Sequence, residues 1–259
     1  MPLPILALET SSAWCGVALL RDAADGRPVI HLREHEGVQE HSERLLPMIG
    51  EVLAEAGLSR AAIGAVAFGQ GPGGFTGLRV ACGVAQGLGF ALGVPVLPVV
   101  SHAAVAAQLA LAPGQVALVA MDARMREVYL AAYRERGDGS FETLLAPLLA
   151  PLDGLDEWLA PRLAQWAPGG AFRLCGDAAL VHPDHFAALG GQPADAPLRP
   201  TAAAVARLAR QAWRRGEAVA PEQATPLYVR DKVAFTTAER LAGAGGNPRV
   251  AAIAQEGGA

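Results

Sequence analysis

The segment Gly69-Gln70-Gly71-Pro72-Gly73-Gly74-Phe75-Thr76-Gly77-Leu78-Arg79 carries the first chemical signal. It follows an apolar run that reads as a strand, and it opens a helix. Free N–H groups at a helix start, with the helix dipole behind them, suit an anion. Glycines let the backbone come close to a ligand. Gly71, Gly73 and Gly74 are therefore candidate phosphate contacts. The Gly-Lys-Ser/Thr ending of a P-loop is absent, and the competing reading is a tight turn that packs a helix on a sheet. Glu9 and Ser11, at the end of the first apolar run, place a carboxylate beside hydroxyls. Such a pair can hold Mg²⁺ through water near a nucleotide phosphate, or close a hydrogen-bonded turn.

His31-Leu32-Arg33-Glu34-His35 has the H-x-x-E-H spacing of an inverted zinc-protease motif. That chemistry needs both rings one helical turn apart. These residues fall in a predicted strand, so a chance match is expected and no metal ligand is assigned. His41 has no nucleophile signalled near it and is taken as structural or as an interface residue. No catalytic residue is assigned anywhere in the chain.

Two helices are candidates for contact with a partner. The first, from Ser42 as N-cap to Ala56, has Leu45, Ile49 and Val52 on one face, and Gly57 reads as its C-cap. The second, from about Thr76 to Leu92, has Ala81, Ala85 and Gly89 on one stripe and Gly83 and Gly87 on another. Small residues at four-residue spacing permit close helix contact, and glycine costs about 0.8–1.0 kcal/mol per helical position relative to alanine. A packing gain must offset that cost. Leu45, Ile49, Val52, Leu78, Ala81, Ala85 and Leu88 are the expected partner surface. Arg207, Arg210 and Arg214 line the polar face of a third helix, from Thr201 to Arg215. With Arg230, Lys232 and Arg240 they are candidate RNA contacts, against the default of a solvated face.

The elements that position these residues recur in two passes. Ile5 to Leu8, Cys15 to Leu20 and Val29 to Arg33 read as three strands joined by short turns, hence an antiparallel meander. A helix, a strand at Ala65 to Phe68, the glycine segment with its helix, and a strand at Val94 to Val99 follow. The second pass has strands at Val116 to Met121, Val128 to Tyr133 and Phe141 to Leu145. A helix from Asp156 to Gln165 and a strand at Phe172 to Cys175 complete it. Recurrence of βββα predicts two related α/β lobes with a cleft between them. Residues 1–103 form the first lobe and 104–235 the second, with the helix at 201–215 packing back on the first. The Gly/Ala-rich tail, 236–259, has little to pack.

Composition limits the classes. The 259 residues are 52% hydrophobic and 18% charged, with net charge −4, which excludes a chain disordered throughout. A pI near 5.9 argues against nucleic-acid binding by net charge alone. Cys15, Cys82 and Cys175 have no close spacing that would make a disulfide framework or zinc site, and Met1-Pro2-Leu3-Pro4 lacks the basic region of a signal peptide. A cytoplasmic protein is expected. Val80 to Met121 contains no charged residue, but Gly93, Pro95, Pro98, Pro113 and Gly114 divide it into pieces too short to span a bilayer.

Several blocks together carry a resemblance. Ile5-Leu6-Ala7-Leu8-Glu9-Thr10-Ser11, His41-Ser42-Glu43-Arg44-Leu45-Leu46-Pro47 and Gly71 to Arg79 are similar to the TsaB (YeaZ) family of tRNA threonylcarbamoyladenosine biosynthesis proteins. So are Asp122-Ala123-Arg124 with Glu127-Val128-Tyr129, and Pro226-Leu227-Tyr228-Val229-Arg230. The blocks span residues 5 to 235.

The resemblance implies the two-lobed actin-like, Hsp70-like ATPase (ribonuclease H-like) fold. It also implies a scaffold role beside the related TsaD, which carries the metal and transfers the threonylcarbamoyl group, with the ATPase TsaE as third member and tRNA reached through the complex. A homodimer through the same helices is expected, no membrane is involved, and ATP or ADP would lie at an interface in the complex. TsaD-like chains carry His-Met-Glu-Gly-His after a Val-Pro-x-x-Pro-Val strand; here the matching stretch reads Ser101-His102-Ala103-Ala104-Val105. Ser101 and Val105 replace both histidine ligands. The alternative function is an ATP-binding phosphotransferase or ATPase acting alone.

Overall fold

The computed structural model describes residues 3–37 and 40–229. The candidate contacts Arg230, Lys232 and Arg240 and the tail 236–259 lie outside them. The chain divides into two compact units, one built on Met1–Gln108 with Arg199–Leu227, the other on Leu109–Leu198.

In the first unit, β1 (Ile5–Glu9), β2 (Trp14–Asp22) and β3 (Pro28–Glu36) form the antiparallel meander, as short turns require. β4 (Ala65–Gly71) and β5 (Val96–Val100) run parallel to β1, because a helix precedes each of them. The sheet order is β3-β2-β1-β4-β5. Both faces are covered. Leu6, Leu8, Val17, Leu19, Val66 and Phe68 point towards α1 (His41–Ala56) and α2 (Phe75–Leu92). Ile5, Ala7, Ala18, Leu20 and Ala67 point towards α7 (Ala202–Arg214), whose Ala202, Val205 and Ala209 are buried. The short α3 (Ser101–Ala106) follows β5.

α1 begins at His41, and Glu40 is its N-cap without a side-chain bond, so Ser42 does not cap it. Instead the His41 ring holds the helix start, with Nδ1 3.1 Å from the Gly37 carbonyl and Nε2 3.0 Å from that of Ser12. Gly57 is the left-handed C-cap, as its lack of Cβ permits. α7 is capped by Thr201, whose Oγ1 accepts from Ala204 N–H. Beyond α7 the chain runs back over α2: Val219 pairs with Val96, Gln86 Nε2 donates to Ala224 O at 2.9 Å, and Leu227 N–H donates to Gln70 O at 2.7 Å.

α2, with 18 residues, is long and apolar enough to cross a membrane. Its buried stripe, Leu78, Ala81, Cys82, Ala85 and Gly89, joins the first unit's core.

The second unit repeats the plan. β6 (Val116–Asp122), β7 (Glu127–Glu135) and β8 (Phe141–Pro151) are antiparallel, and β9 (Phe172–Cys175) and β10 (Gln192–Pro193) are parallel. The order β10-β9-β6-β7-β8 is that of the first sheet. α4 (Leu155–Trp166) covers one face, with α5 (Ala178–Val181) and α6 (Pro183–Ala187) after β9. β8 runs well past Leu145. Its Pro147 is tolerated because the strand is an edge and the register shifts there, Leu130 pairing with Leu148 and Ala132 with Leu145. The repeated order, three antiparallel strands and then two parallel ones, is that of the two-lobed ribonuclease H-like, actin-like ATPase fold.

Candidate functional site

The glycine segment lies where β4 ends, with a cis Gly71–Pro72 bond and the start of α2 at Phe75. Its close neighbours are protein. Gly74 N–H donates to Ser11 O at 2.7 Å, and Thr10 Oγ1 donates to Gly77 O at 2.6 Å. A Cβ at Gly73 would overlap Ser11 O, and one at Gly77 would overlap Thr10 O. The glycines thus admit the β1–β2 turn, and a carbonyl oxygen takes the N-cap N–H that an anion would need.

Glu9 is buried beneath this turn. Its Oε1 accepts Ser11 N–H at 2.6 Å and its Oε2 accepts the Ser101 hydroxyl at 3.1 Å. Ser101 Oγ in turn accepts Gly71 N–H at 3.1 Å. Burial raises the Glu9 pKa, partly offset by the Ser11 and Ser101 bonds. A Cβ at Gly69 would overlap the carboxylate. Glu9, Ser11, Gly71, Gly73 and Gly74 are brought together, yet as an internal hydrogen-bonded joint. Phosphate or Mg²⁺ binding does not follow from this geometry.

The expected partner surface needs correction. Leu45, Ile49, Val52, Leu78, Ala81 and Ala85 are all buried in the unit's own core, and Leu88 packs against it. An amphipathic helix turns its larger apolar residues to the sheet, and the stripe chosen from the sequence was that inner one. The outer stripe of α2 is Thr76, Arg79, Gly83, Gly87, Phe90 and Ala91, all exposed. Among the described residues nothing lies within 4 Å of a Cβ added at Gly83 or Gly87. On α1, Leu46 and Pro47 are exposed. The sequence marks this outer face by the Gly83/Gly87 stripe, and Arg79, Phe90 and Leu46 are exposed as well.

On α7, Arg207 and Arg214 are exposed. Arg210 instead pairs with Asp22 of β2 at 2.9 Å, both side chains being largely covered, so it is not an open RNA contact. His31 and His35 lie in β3, each beside a carboxylate, Glu55 at 3.0 Å and Glu40 at 2.8 Å. No group of three or more metal-ligating side chains occurs among the described residues.

One feature of the second unit had no sequence signal. Arg124, Met125 and Arg126 take φ of 63°, 57° and 57° in the β6–β7 turn, a conformation these residue types disfavour. Asp122 supports the turn: its Oδ1 accepts Arg124 N–H at 3.1 Å and lies 3.2 Å from His182 Nε2.

Comparison with known proteins decides the family. A protein from Escherichia coli (strain K12) named tRNA threonylcarbamoyladenosine biosynthesis protein TsaB is 32% identical over 238 residues, 89% of this chain and 96% of that one. The chain belongs to the TsaB family. The Haemophilus influenzae TsaB is 44% identical over 130 residues, half of this chain and 53% of that protein. The solved structure of YeaZ from Pseudomonas aeruginosa is 36% identical, covers 87% of this chain and 99% of that one, and superposes with a TM-score of 0.71. The family model of TsaD, tRNA N6-adenosine threonylcarbamoyltransferase, matches residues 32–149.

In this TsaB-family chain Ser101, His102 and Val105 are fully buried. Ser101 is spent on Glu9 and Gly71. All three cysteines are buried too, and burial pushes the thiols up, Cys15 to about 11 and Cys175 to about 12.

Proposed function

We propose that this chain is a non-catalytic, activating subunit of a cytoplasmic assembly that transfers a threonylcarbamoyl group to N6 of the adenosine beside the anticodon in tRNAs reading ANN codons. Its partners are a TsaD-type catalytic subunit, a TsaE-type ATPase and, in the absence of these, a second copy of itself. ATP or ADP belongs to an interface within the assembly and not to this chain alone.

The observation that carries the reading is the outer stripe of α2. Two exposed glycines in the middle of a helix cost about 2 kcal/mol relative to alanine, and among the described residues nothing lies within 4 Å of a Cβ added at Gly83 or Gly87. A closely packed helix from another protein offsets that cost. The stripe is also nearly free of charge, with Arg79 the one charged residue of α2, as the core of an interface favours.

Light scattering of the chain mixed with a TsaD-type partner tests this. The wild type forms a complex; Gly87→Trp keeps its circular dichroism and melting temperature but loses the complex. A Gly87→Trp protein that associates normally sinks the reading. The phosphotransferase alternative predicts metal-dependent ATP turnover by the chain alone, abolished in Glu9→Ala. The internal bonding of Glu9 weighs against it.

A further inference from the structure

The second unit carries a groove of about 670 Å³ beside α4. Its apolar lining includes Ala160, Leu163 and Ala164 of α4, Phe172 at the start of β9 and Leu189 after α6. Small residues keep it open. Ala160 and Ala164 stand exposed where longer side chains would fill the space. Gly191 lets the chain lie against the Phe172 ring, which an added Cβ would overlap. The two charged residues of the lining, Asp156 and Glu157, are both acids, both exposed and both in the first turn of α4. An occupant that suits this groove brings apolar side chains together with a positive charge.

The chain's own sequence holds such a segment, outside the described residues. Asn247-Pro248 followed by Arg249-Val250-Ala251-Ala252-Ile253-Ala254-Gln255-Glu256 and Gly257 has an N-cap residue, a proline for the first helical position and a glycine stop. Val250, Ile253 and Ala254 recur at the i, i+3, i+4 spacing of one apolar helical face. Arg249 is the one base of residues 241–259. Before the segment stand Gly243, Gly245 and Gly246, a linker composition. Reach is not limiting. The twenty residues from Val229 to Arg249 cover about 25 Å as a flexible chain, against a radius of gyration of about 13 Å for a unit of this size.

We infer that residues 249–254 dock in the groove beside α4, with Val250 and Ile253 against its apolar lining and Arg249 beside Asp156 and Glu157. This is the helix-in-groove mode of recognition, made within one chain. Charge complementarity and the tether decide for this occupant. A linker of this length supplies an effective concentration in the millimolar range, so even a contact of about 0.1 mM intrinsic affinity is closed roughly ten times out of eleven. The inference is independent of α2 and of the proposed association with a catalytic subunit.

Hydrogen exchange of the full chain, read by mass spectrometry over residues 249–256, tests it against a synthetic peptide of the same sequence. In the wild type these amides are expected to exchange about tenfold more slowly than in the peptide. Ile253→Asp is expected to bring them to the peptide rate, and Ala164→Arg, which fills the groove from an exposed position, to do the same. Arg249→Glu and the pair Asp156→Lys with Glu157→Lys should each lose about threefold or more of the protection. Combining all three reversals should restore it to within about twofold of wild type. The tail variants leave the folded units untouched, so a loss of protection in them is not a loss of fold. Wild-type amides at the peptide rate, or protection that survives Ile253→Asp or Ala164→Arg, would overturn the inference. Protection that falls on tenfold dilution would place the segment on a second molecule and overturn it as well.

Discussion

The Ser101 hydroxyl donates to the Glu9 carboxylate at 3.1 Å. Through it the end of β1, the start of α3 and the N–H of Gly71 are held in one buried chain of hydrogen bonds. A carboxylate at the end of the first strand, which from its position could have faced a metal or a phosphate, is thereby a structural acceptor. The β1–β2 turn above it fills the space beside the glycines.

The first prediction concerns Glu9 and pH. Burial holds its pKa above the ordinary value, so the folded state keeps a proton more readily than the unfolded chain. The stability this contributes is complete below the unfolded value of about 4.3 and is lost as pH rises through the folded value. Urea midpoints of wild type should therefore fall relative to those of Glu9→Gln across that window. Parallel profiles from pH 4 to 8 would place the carboxylate in water.

Glycines of one helix should respond in opposite directions. Gly77→Ala, and Gly73→Ala just before the helix, press a methyl into Thr10 O and Ser11 O and should cost about 1–3 kcal/mol. Gly83→Ala meets nothing and should gain about 0.5–1 kcal/mol in the isolated chain. Chemical denaturation reads both, and equal effects would show that the three sites share one environment.

Arg210→Ala leaves Asp22 largely covered and without its partner, and should cost about 1–3 kcal/mol. The double variant Arg207→Glu with Arg214→Glu should leave stability unchanged, both being exposed. RNA contact by α7 now rests on those two. If they touch phosphates, tRNA binding by the assembly weakens and its salt slope drops by about 2; an unchanged slope discards the contact.

The Tyr133 hydroxyl, in β7, is buried and has no hydrogen-bond partner among the described residues. Removing an unsatisfied polar group relieves its desolvation cost, so Tyr133→Phe should be neutral or stabilising by about 1 kcal/mol. A melting temperature lowered by several degrees would show that the hydroxyl has a partner.

Much of the fold was legible because its signals are local. The turns at 10–13 and 23–27 are too short for anything but antiparallel strands, and the leucines of α1 recur with a helical period. β8 runs beyond Leu145 through Pro147, a residue that strand interiors disfavour and that the sheet edge and the register shift there permit. The faces of α2 were harder. Both stripes are built of small residues, and the inner one is marked only by Leu78 and Cys82 beside its alanines. The glycine segment misled for a related reason: glycine reports that something comes close but not what, and here it is the Thr10 and Ser11 backbone. The left-handed turn at Arg124–Arg126 had no glycine or asparagine to announce it.

The three buried thiols leave this chain without a reactive sulfhydryl on the surface of the described residues. Maleimide and spin-label reagents attack thiolates, and those of Cys15 and Cys175 form only far above neutral pH. The wild-type protein is accordingly a silent background for chemical labelling. One cysteine introduced at position 87, where the outer face of α2 has room for a Cβ, would report association by its own protection from reagent. No native residue need be removed to prepare it.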